Sequence, residues 1–379
     1  MYSQDEINSA VSAGVLPPEI ADKLRAHVVN IRERPVSDEE HFRFVSSFND
    51  IFVAIGVVIL LFAVAAIGQA LGRAAFPVDT SNLGDYSGYA RRQGAEMMFG
   101  AALVAATAWP LAEFFTRKRR MAFPSIILLL AFVFGTLFTF LGLTMTIAGS
   151  DNISTEGEYI LAAFASVSGL LAAGGAWLHW RRFGVPITIA AGAGALAIFA
   201  IMLVVAALAG STDLEAEDIF LPLIFLSGIA IFAFAMRWDM TDRERQTRRS
   251  DVAFWLHLLA APMIAHPLFY WIGVTEGRDI GVGAAAGVLA VYVAMGLVAL
   301  AIDRRALLVS ALAYVLVTLA SLFDRFGAVE LNVALTALVI GSALLTLSAF
   351  WTPIRQVVVG QLPVTVRGRL PASGNLLAA

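Results

Sequence analysis

Residues 51–71 read IFVAIGVVILLFAVAAIGQAL, an apolar segment without a charged side chain. An α-helix crosses the hydrocarbon core of a bilayer with about 20 such residues. This segment therefore predicts a transmembrane helix. The rest of the chain has the same character, because 59% of its 379 residues are hydrophobic and only 15% are charged. Soluble domains are about a quarter charged, so the composition favours a membrane protein.

Nine more apolar segments of similar length follow the first one. We expect an all-α, polytopic membrane protein of about ten transmembrane helices, at residues 51–71, 95–115, 124–148, 159–180, 185–209, 219–236, 253–274, 280–302, 306–323 and 331–351. The ninth is the shortest because Asp324 and Arg325 end it. The prediction divides the chain into a cytoplasmic helical segment (1–50), a transmembrane domain (51–351) and a cytoplasmic C-terminal tail (352–379). Repeated proline and glycine predict that this tail is loosely ordered.

Basic residues are distributed unequally between the predicted loops. Lysine and arginine are concentrated in alternate loops, as in 117–120 (RKRR) and 243–249 (RERQTRR), whereas loops 149–158 and 210–218 are acidic and contain neither. Cytoplasmic loops of membrane proteins carry the excess of basic residues. We therefore expect a multi-pass protein of the bacterial inner membrane with both termini in the cytoplasm.

Several classes of function are disfavoured by the composition. The chain has no cysteine, which excludes disulfides, thiolate metal sites and thiol catalysis. Its net charge of −3 is not the excess of positive charge that favours binding of a nucleic acid. The common hydrolase, zinc-protease and phosphate-loop motifs are also absent. The sequence therefore assigns no catalytic residue, metal ligand or cofactor, and the one certain partner is the lipid bilayer.

The N-terminal segment has the pattern of short helices. Gly14 is suited to end a first helix and Pro18 to begin a second. Apolar side chains then recur on one helical face, at Ile20, Leu24, Val28 and Ile31. This stripe either packs on the membrane domain or contacts the membrane surface, a protein partner or a second copy of the chain through residues 1–50.

The seventh predicted helix is the first candidate for a ligand site. It contains His257, Pro262, His266 and Pro267. Each proline leaves a backbone carbonyl unpaired and bends the helix, and transporters build substrate sites from such irregular helices. The two histidines are nine residues apart, about 13 Å along an ideal helix and on opposite faces. They are therefore not expected to share one metal ion.

Each candidate also has a purely structural interpretation. For either histidine the simpler interpretation is a packing residue bonded to a neighbouring helix. Glu96, at the outer start of the second span, is a further candidate ligand residue or an interfacial carboxylate. Glu113 is placed to form a helical ion pair with Arg117. Gly283-xxx-Gly287 predicts close packing of helices.

Three stretches of the chain are similar to a known family: residues 10–22 (AVSAGVLPPEIAD), 48–56 (FNDIFVAIG) and 254–262 (FWLHLLAAP). In these stretches the chain resembles bacterial membrane proteins of the DUF2157 type. The resemblance implies a short cytoplasmic helical segment followed by a series of hydrophobic helices. No activity, cofactor or site residue comes with it.

Two functions agree with these features. The first is an integral inner-membrane protein that binds or transports a small or lipidic solute, with its site near the seventh helix. The alternative is a non-transporting scaffold or accessory subunit that docks partners through residues 1–50. The absence of catalytic motifs disfavours an enzyme.

Overall fold

A computed structural model describes residue 9 and residues 11–24, 48–78, 86–148, 157–208, 216–245, 247–274, 281–325 and 331–371. Across these ranges all regular secondary structure is helical. The long helices are α1 (Phe48–Ala75), α2 (Tyr86–Ala112), α3 (Ala122–Ala148), α4 (Gly157–Phe183), α5 (Ile187–Leu208), α6 (Ala216–Thr241), α7 (Arg248–Trp271), α8 (Val282–Ile302), α9 (Ala306–Arg325) and α10 (Asn332–Ala349). Two short helices follow, α11 (Trp351–Gly360) and α12 (Val364–Arg367).

Each of the ten predicted spans falls on one of α1 to α10. In the part of the chain that the structure describes, nine helices are long and apolar enough to cross a membrane. The exception is α9, whose apolar stretch Leu307–Phe323 is shorter. The predicted all-α, polytopic fold is confirmed, and the protein is a multi-pass helical membrane protein.

The apolar core runs from one helix group to the next. Successive clusters join α1 to α3, then α3 to α5, then α5 to α7, and finally α7 to α10. Large apolar side chains also face outward, for example Phe52 and Phe62 on α1, which are 70% and 73% exposed. Such a surface is expected where lipid, not water, surrounds a helix.

The closest helix packing occurs among α1, α2 and α3, at glycines. A Cβ atom added at Gly68 would lie 2.5 Å from the carbonyl oxygen of Phe99, and one added at Gly142 would lie 2.5 Å from the Met98 nitrogen. The expected motif on α8 behaves differently, because a Cβ at Gly283 would meet nothing within 4 Å. Among the described residues the predicted close approach is absent at Gly283, whereas a Cβ added at Gly287 would lie 3.4 Å from the Ile272 side chain, and the tightest glycine contacts lie elsewhere.

The C-terminal segment is folded, contrary to the prediction of a loosely ordered tail. Its α11 buries Trp351, Arg355 and Val359 against the ends of the long helices. Arg355 Nη2 donates to the carbonyl of Pro371 at 2.9 Å, and Arg243 Nε donates to that of Leu370 at 3.0 Å. The prolines and glycines thus separate short docked helices instead of preventing structure. Residues 372–379 lie outside the described residues.

The N-terminal pattern is confirmed where it is described. Gly14 has a positive φ of 71° and follows a helical turn, and residues 18–24 are helical, beginning at Pro18. Val28 and Ile31, the remainder of the predicted apolar stripe, lie outside the described residues.

Candidate functional site

Helix α7 is buried more deeply inside the protein than the other described spans. The turn from α6 fixes its start. Asp242 Oδ2 accepts hydrogen bonds from the Thr247 backbone nitrogen at 3.0 Å and from the Thr247 hydroxyl at 2.7 Å. Thr247 Oγ1 in turn accepts from the Arg249 nitrogen at 3.2 Å and caps the helix. The helix continues through both prolines to Trp271.

A buried polar group joins the ends of α6, α7 and α8. We call it the Asp239 network, and it consists of Asp239, Ser250, His257 and Arg304. Asp239 Oδ2 lies 3.0 Å from His257 Nε2, and Asp239 Oδ1 accepts from Arg304 Nη2 at 2.5 Å. Arg304 Nη2 also donates to the carbonyl and hydroxyl oxygens of Ser250, each at 3.1 Å. Asp239 and His257 have no exposed surface, and Arg304 is 2% exposed.

A second carboxylate, Asp303, continues this polar layer towards the C-terminal segment. Arg245 Nη1 donates to Asp303 Oδ2 at 3.0 Å, and Trp351 Nε1 donates to Asp303 Oδ1 at 2.7 Å. The Nε atom of Arg355 lies 3.7 Å from the same Oδ1. Asp303 follows α8 in the left-handed conformation and turns the chain. The Asp303 side chain therefore contacts Arg245 and Trp351, whereas the Arg304 side chain contacts Asp239.

The carboxylate of Asp239 is fully paired within this layer, although the Nδ1 atom of His257 has no hydrogen-bond partner among the described residues. Both oxygens of Asp239 already accept from charged or polar donors, and a buried ion pair of this kind keeps each member from being an uncompensated charge. Among the described residues, no group of three or more His, Cys, Asp or Glu side chains is arranged to hold a metal ion. We therefore assign the Asp239 network to holding α6, α7 and α8 together.

The seventh helix does not bring its candidate residues together. His257 belongs to the Asp239 network, whereas His266 is exposed and its Nδ1 lies 2.6 Å from the Tyr314 hydroxyl of α9. The Tyr314 ring stacks on Phe269 with 4.4 Å between the ring centroids. Each histidine is thus bonded to a neighbouring helix, as the structural interpretation expected. A ligand role for His257, His266, Pro262 or Pro267 stays a prediction.

The two acidic candidates near the ends of α2 are both ion-paired. Glu96 accepts from Arg73 Nη1 of α1 and from Arg92 Nε, each at 3.0 Å. Glu113 accepts from Arg117 at 3.3 Å, which confirms the predicted helical pair, and also from Arg182 Nε of α4 at 2.5 Å. The π-helical turn Glu113–Lys118 follows α2 directly and carries this second contact. A ligand role for Glu96 stays a prediction.

An open apolar groove lies between α4, α5 and α6, with a volume of about 490 Å³. We call it the α5 groove. Helix α5 contributes the largest share of the lining, from Thr188 to Ala200, while α4 and α6 contribute the two sides. The larger side chains on its sides are Trp177 and Trp180 of α4 and Phe234 of α6.

The groove exists because α5 presents small side chains where its neighbours diverge. Gly192, Ala193 and Ala197 lie along its floor. Ala197 also belongs to the cluster that packs α5 on α7, together with Leu256 of α7. One face of α5 is therefore anchored in the core while the adjacent face stays open. All of these residues lie in candidate membrane spans.

A buried histidine lies beside this groove. His179 of α4 has no exposed surface, and its Nδ1 is 3.5 Å from the hydroxyl of Thr188, a groove residue. The rings of Trp109, Phe132 and Phe183 surround it, the nearest centroid being 4.5 Å away. These contacts make His179 a packing residue behind the groove.

Two features of the candidate sites were missed from the sequence. Asp239 lies beyond the sixth predicted span, which ends at residue 236, whereas α6 continues to Thr241. The α5 groove has no counterpart among the sequence predictions, because small residues such as Gly192 and Ala193 are also typical of ordinary helix contacts. Comparison of the chain with protein-family models, curated proteins and solved structures gives no match. The DUF2157 resemblance therefore stays a prediction.

Proposed function

We propose that this membrane protein binds a lipidic solute and holds one of its acyl chains in the α5 groove. The observation that carries the proposal is an apolar groove of about 490 Å³ lined by residues of candidate membrane spans. The part of a solute that enters such a groove from the bilayer is a hydrocarbon chain, because charged and polar groups are unfavourable in that region. Binding requires neither catalysis nor a cofactor.

The dimensions of the groove suit a chain from one leaflet. Its lining on α5 extends from Thr188 to Ala200, about 18 Å at 1.5 Å per residue. One leaflet contributes about half of a hydrocarbon core that is about 30 Å thick. The concentration of arginine in alternate loops favours the Thr188 end as the cytoplasmic end, so we propose the inner-leaflet lipids of a bacterial inner membrane as the source.

Selectivity in such a groove comes from shape. Lipid tails are as apolar as the groove itself, so transfer from the bilayer brings no hydrophobic gain and packing contacts decide which molecule stays. Filling the groove should therefore release the solute without changing the apolar character of its surface. Ala200→Trp is the matching variant, since Ala200 is exposed and lines the groove.

Retention of lipid in detergent tests this proposal. We expect the purified full chain to keep about one phospholipid after exchange into detergent, measured by native mass spectrometry. Ala200→Trp should lose most of it. Ala207→Trp is the matched control, because Ala207 is an exposed alanine of the same helix outside the groove lining. Equal retention in all three proteins, or loss in both variants alike, contradicts the proposal.

A second candidate, a scaffold that docks partners through residues 1–50, is supported by one observation. Within that segment Val15, Ile20 and Leu24 are 79%, 51% and 39% exposed. The apolar side chains of Ile20 and Leu24 are four residues apart in a helix and form a face that a partner can cover. Purification from native membranes with and without residues 1–47 tests it, and a partner that stays bound after the truncation contradicts docking there.

A further inference from the structure

An arginine follows the groove-lining residues on each of the two side helices, Arg181 on α4 and Arg237 on α6. The guanidinium of Arg181, near the end of α4, lies 5.1 Å from the ring centroid of Trp177, which lines the groove. Arg237 of α6 follows the groove residue Phe234 by three positions, so it lies on the same helical face about one turn further on. Both arginines are exposed.

In the part of the chain that the structure describes, neither Arg181 nor Arg237 forms an ion pair with a carboxylate. The nearest charged neighbours in sequence face elsewhere: Arg182 binds Glu113, and Asp239 is buried against Arg304. The groove thus combines an apolar body with positive charge at one end.

We infer that the solute is an anionic phospholipid, with one acyl chain in the α5 groove and its headgroup phosphate between Arg181 and Arg237. This inference rests on the proposed function and names its substrate class. Guanidinium groups bind phosphate oxygens through charge-assisted hydrogen bonds. A zwitterionic lipid presents the same phosphate, but its headgroup also carries a cationic group, which the two arginines repel. The groove therefore selects on headgroup charge at this end and on chain shape along its length.

The expected selectivity follows from the charge count. A basic residue near an anionic lipid surface contributes about 1 kcal/mol, and about 1.4 kcal/mol is tenfold in affinity. Two arginines should then favour phosphatidylglycerol over phosphatidylcholine roughly 25-fold. The preference should decrease as salt rises from about 0.15 M to about 1 M, because the Debye length falls from about 8 Å to about 3 Å.

Competition between two lipids with identical acyl chains measures this selectivity. The full chain in detergent is offered equal amounts of phosphatidylglycerol and phosphatidylcholine, and the bound lipid is identified by native mass spectrometry. Arg181→Gln with Arg237→Gln should still retain lipid but lose the preference for phosphatidylglycerol. Arg119→Gln with Arg249→Gln is the matched control, since both residues are exposed and Arg119 also lies over an aromatic ring, that of Phe114. This control should keep the preference.

The outcomes separate the two proposals. Retention of both lipids without preference by the unchanged protein overturns the anionic headgroup while leaving the groove as a lipid site. An equal loss of preference in both double variants also overturns it, because the effect would then be one of general surface charge. If no lipid is retained, or if Ala200→Trp retains as much as the unchanged protein, the groove itself is not the site.

Discussion

Arg304, at the end of α8, donates from Nη2 to Asp239 Oδ1 of α6 at 2.5 Å, and neither side chain is more than 3% exposed. The other oxygen of Asp239 faces His257 of α7 at 3.0 Å. A single carboxylate therefore connects the three successive helices α6, α7 and α8. Since a buried charge without a partner is strongly unfavourable, the stability of this half of the bundle depends on that carboxylate.

We predict that Asp239→Asn lowers the free energy of unfolding by about 3–5 kcal/mol, because it leaves the Arg304 guanidinium buried without its counter-charge. Denaturant unfolding in detergent micelles measures the loss. Asp239→Leu combined with Arg304→Met removes both charges and should restore most of the stability. A loss below about 1 kcal/mol in Asp239→Asn would show that the pair is not structural.

Trp351→Phe should loosen the C-terminal segment from the bundle. The substitution keeps an aromatic ring but removes the indole N–H that donates to Asp303 at 2.7 Å, and a hydrogen bond to a charged group contributes about 1.5–3 kcal/mol. Tryptic cleavage after Arg355, which is 3% exposed in the folded segment, should become faster. Trp271→Phe is the control, since Trp271 is 51% exposed and lies at the end of α7. An unchanged cleavage rate in Trp351→Phe would argue against this docking contact.

The membrane spans were predictable because hydropathy is a local property of the sequence. About twenty apolar residues must form a helix in lipid, so each predicted span coincides with one of α1 to α10. The docked segment 351–371 was not predictable in the same way. Its stability comes from Trp351 and Arg355 contacting Asp303, and partners about fifty residues apart leave no periodic signal.

The candidate sites were predictable only in part. The composition of α7 identified His257 and His266 as unusual. It did not predict that His257 bonds Asp239 and that His266 bonds Tyr314. The α5 groove depends on how far α4 and α6 diverge across α5, which tertiary packing decides. Its sequence signal, a run of small residues around Gly192, is shared with ordinary helix contacts. Arg181 and Arg237, which form no ion pair among the described residues, are not distinguished by the sequence from the other arginines near helix ends.

His266→Ala discriminates between the α5 groove and the seventh helix as the solute site. We expect the retained lipid to be unchanged, because His266 bonds Tyr314 of α9 and is not among the groove residues. Tyr314→Phe removes the same hydrogen bond without opening a space and should behave alike. Native mass spectrometry of the retained lipid checks both variants. Loss of lipid in His266→Ala, with retention in Ala207→Trp, would favour a site at α7 instead.

Gly72→Ala and Gly283→Ala should have opposite effects although each glycine belongs to a G-xxx-G pair. A Cβ at Gly72 would lie 2.7 Å from the backbone of Ala95, whereas one at Gly283 would meet nothing within 4 Å. The first methyl group must push α1 away from α2, and overpacking of this kind costs about 1–3 kcal/mol. The second only replaces a poor helix former by a good one, a gain of up to about 1 kcal/mol. Thermal unfolding of the two variants in the same detergent compares them, and equal destabilisation would mean that Gly283 also faces a neighbouring backbone.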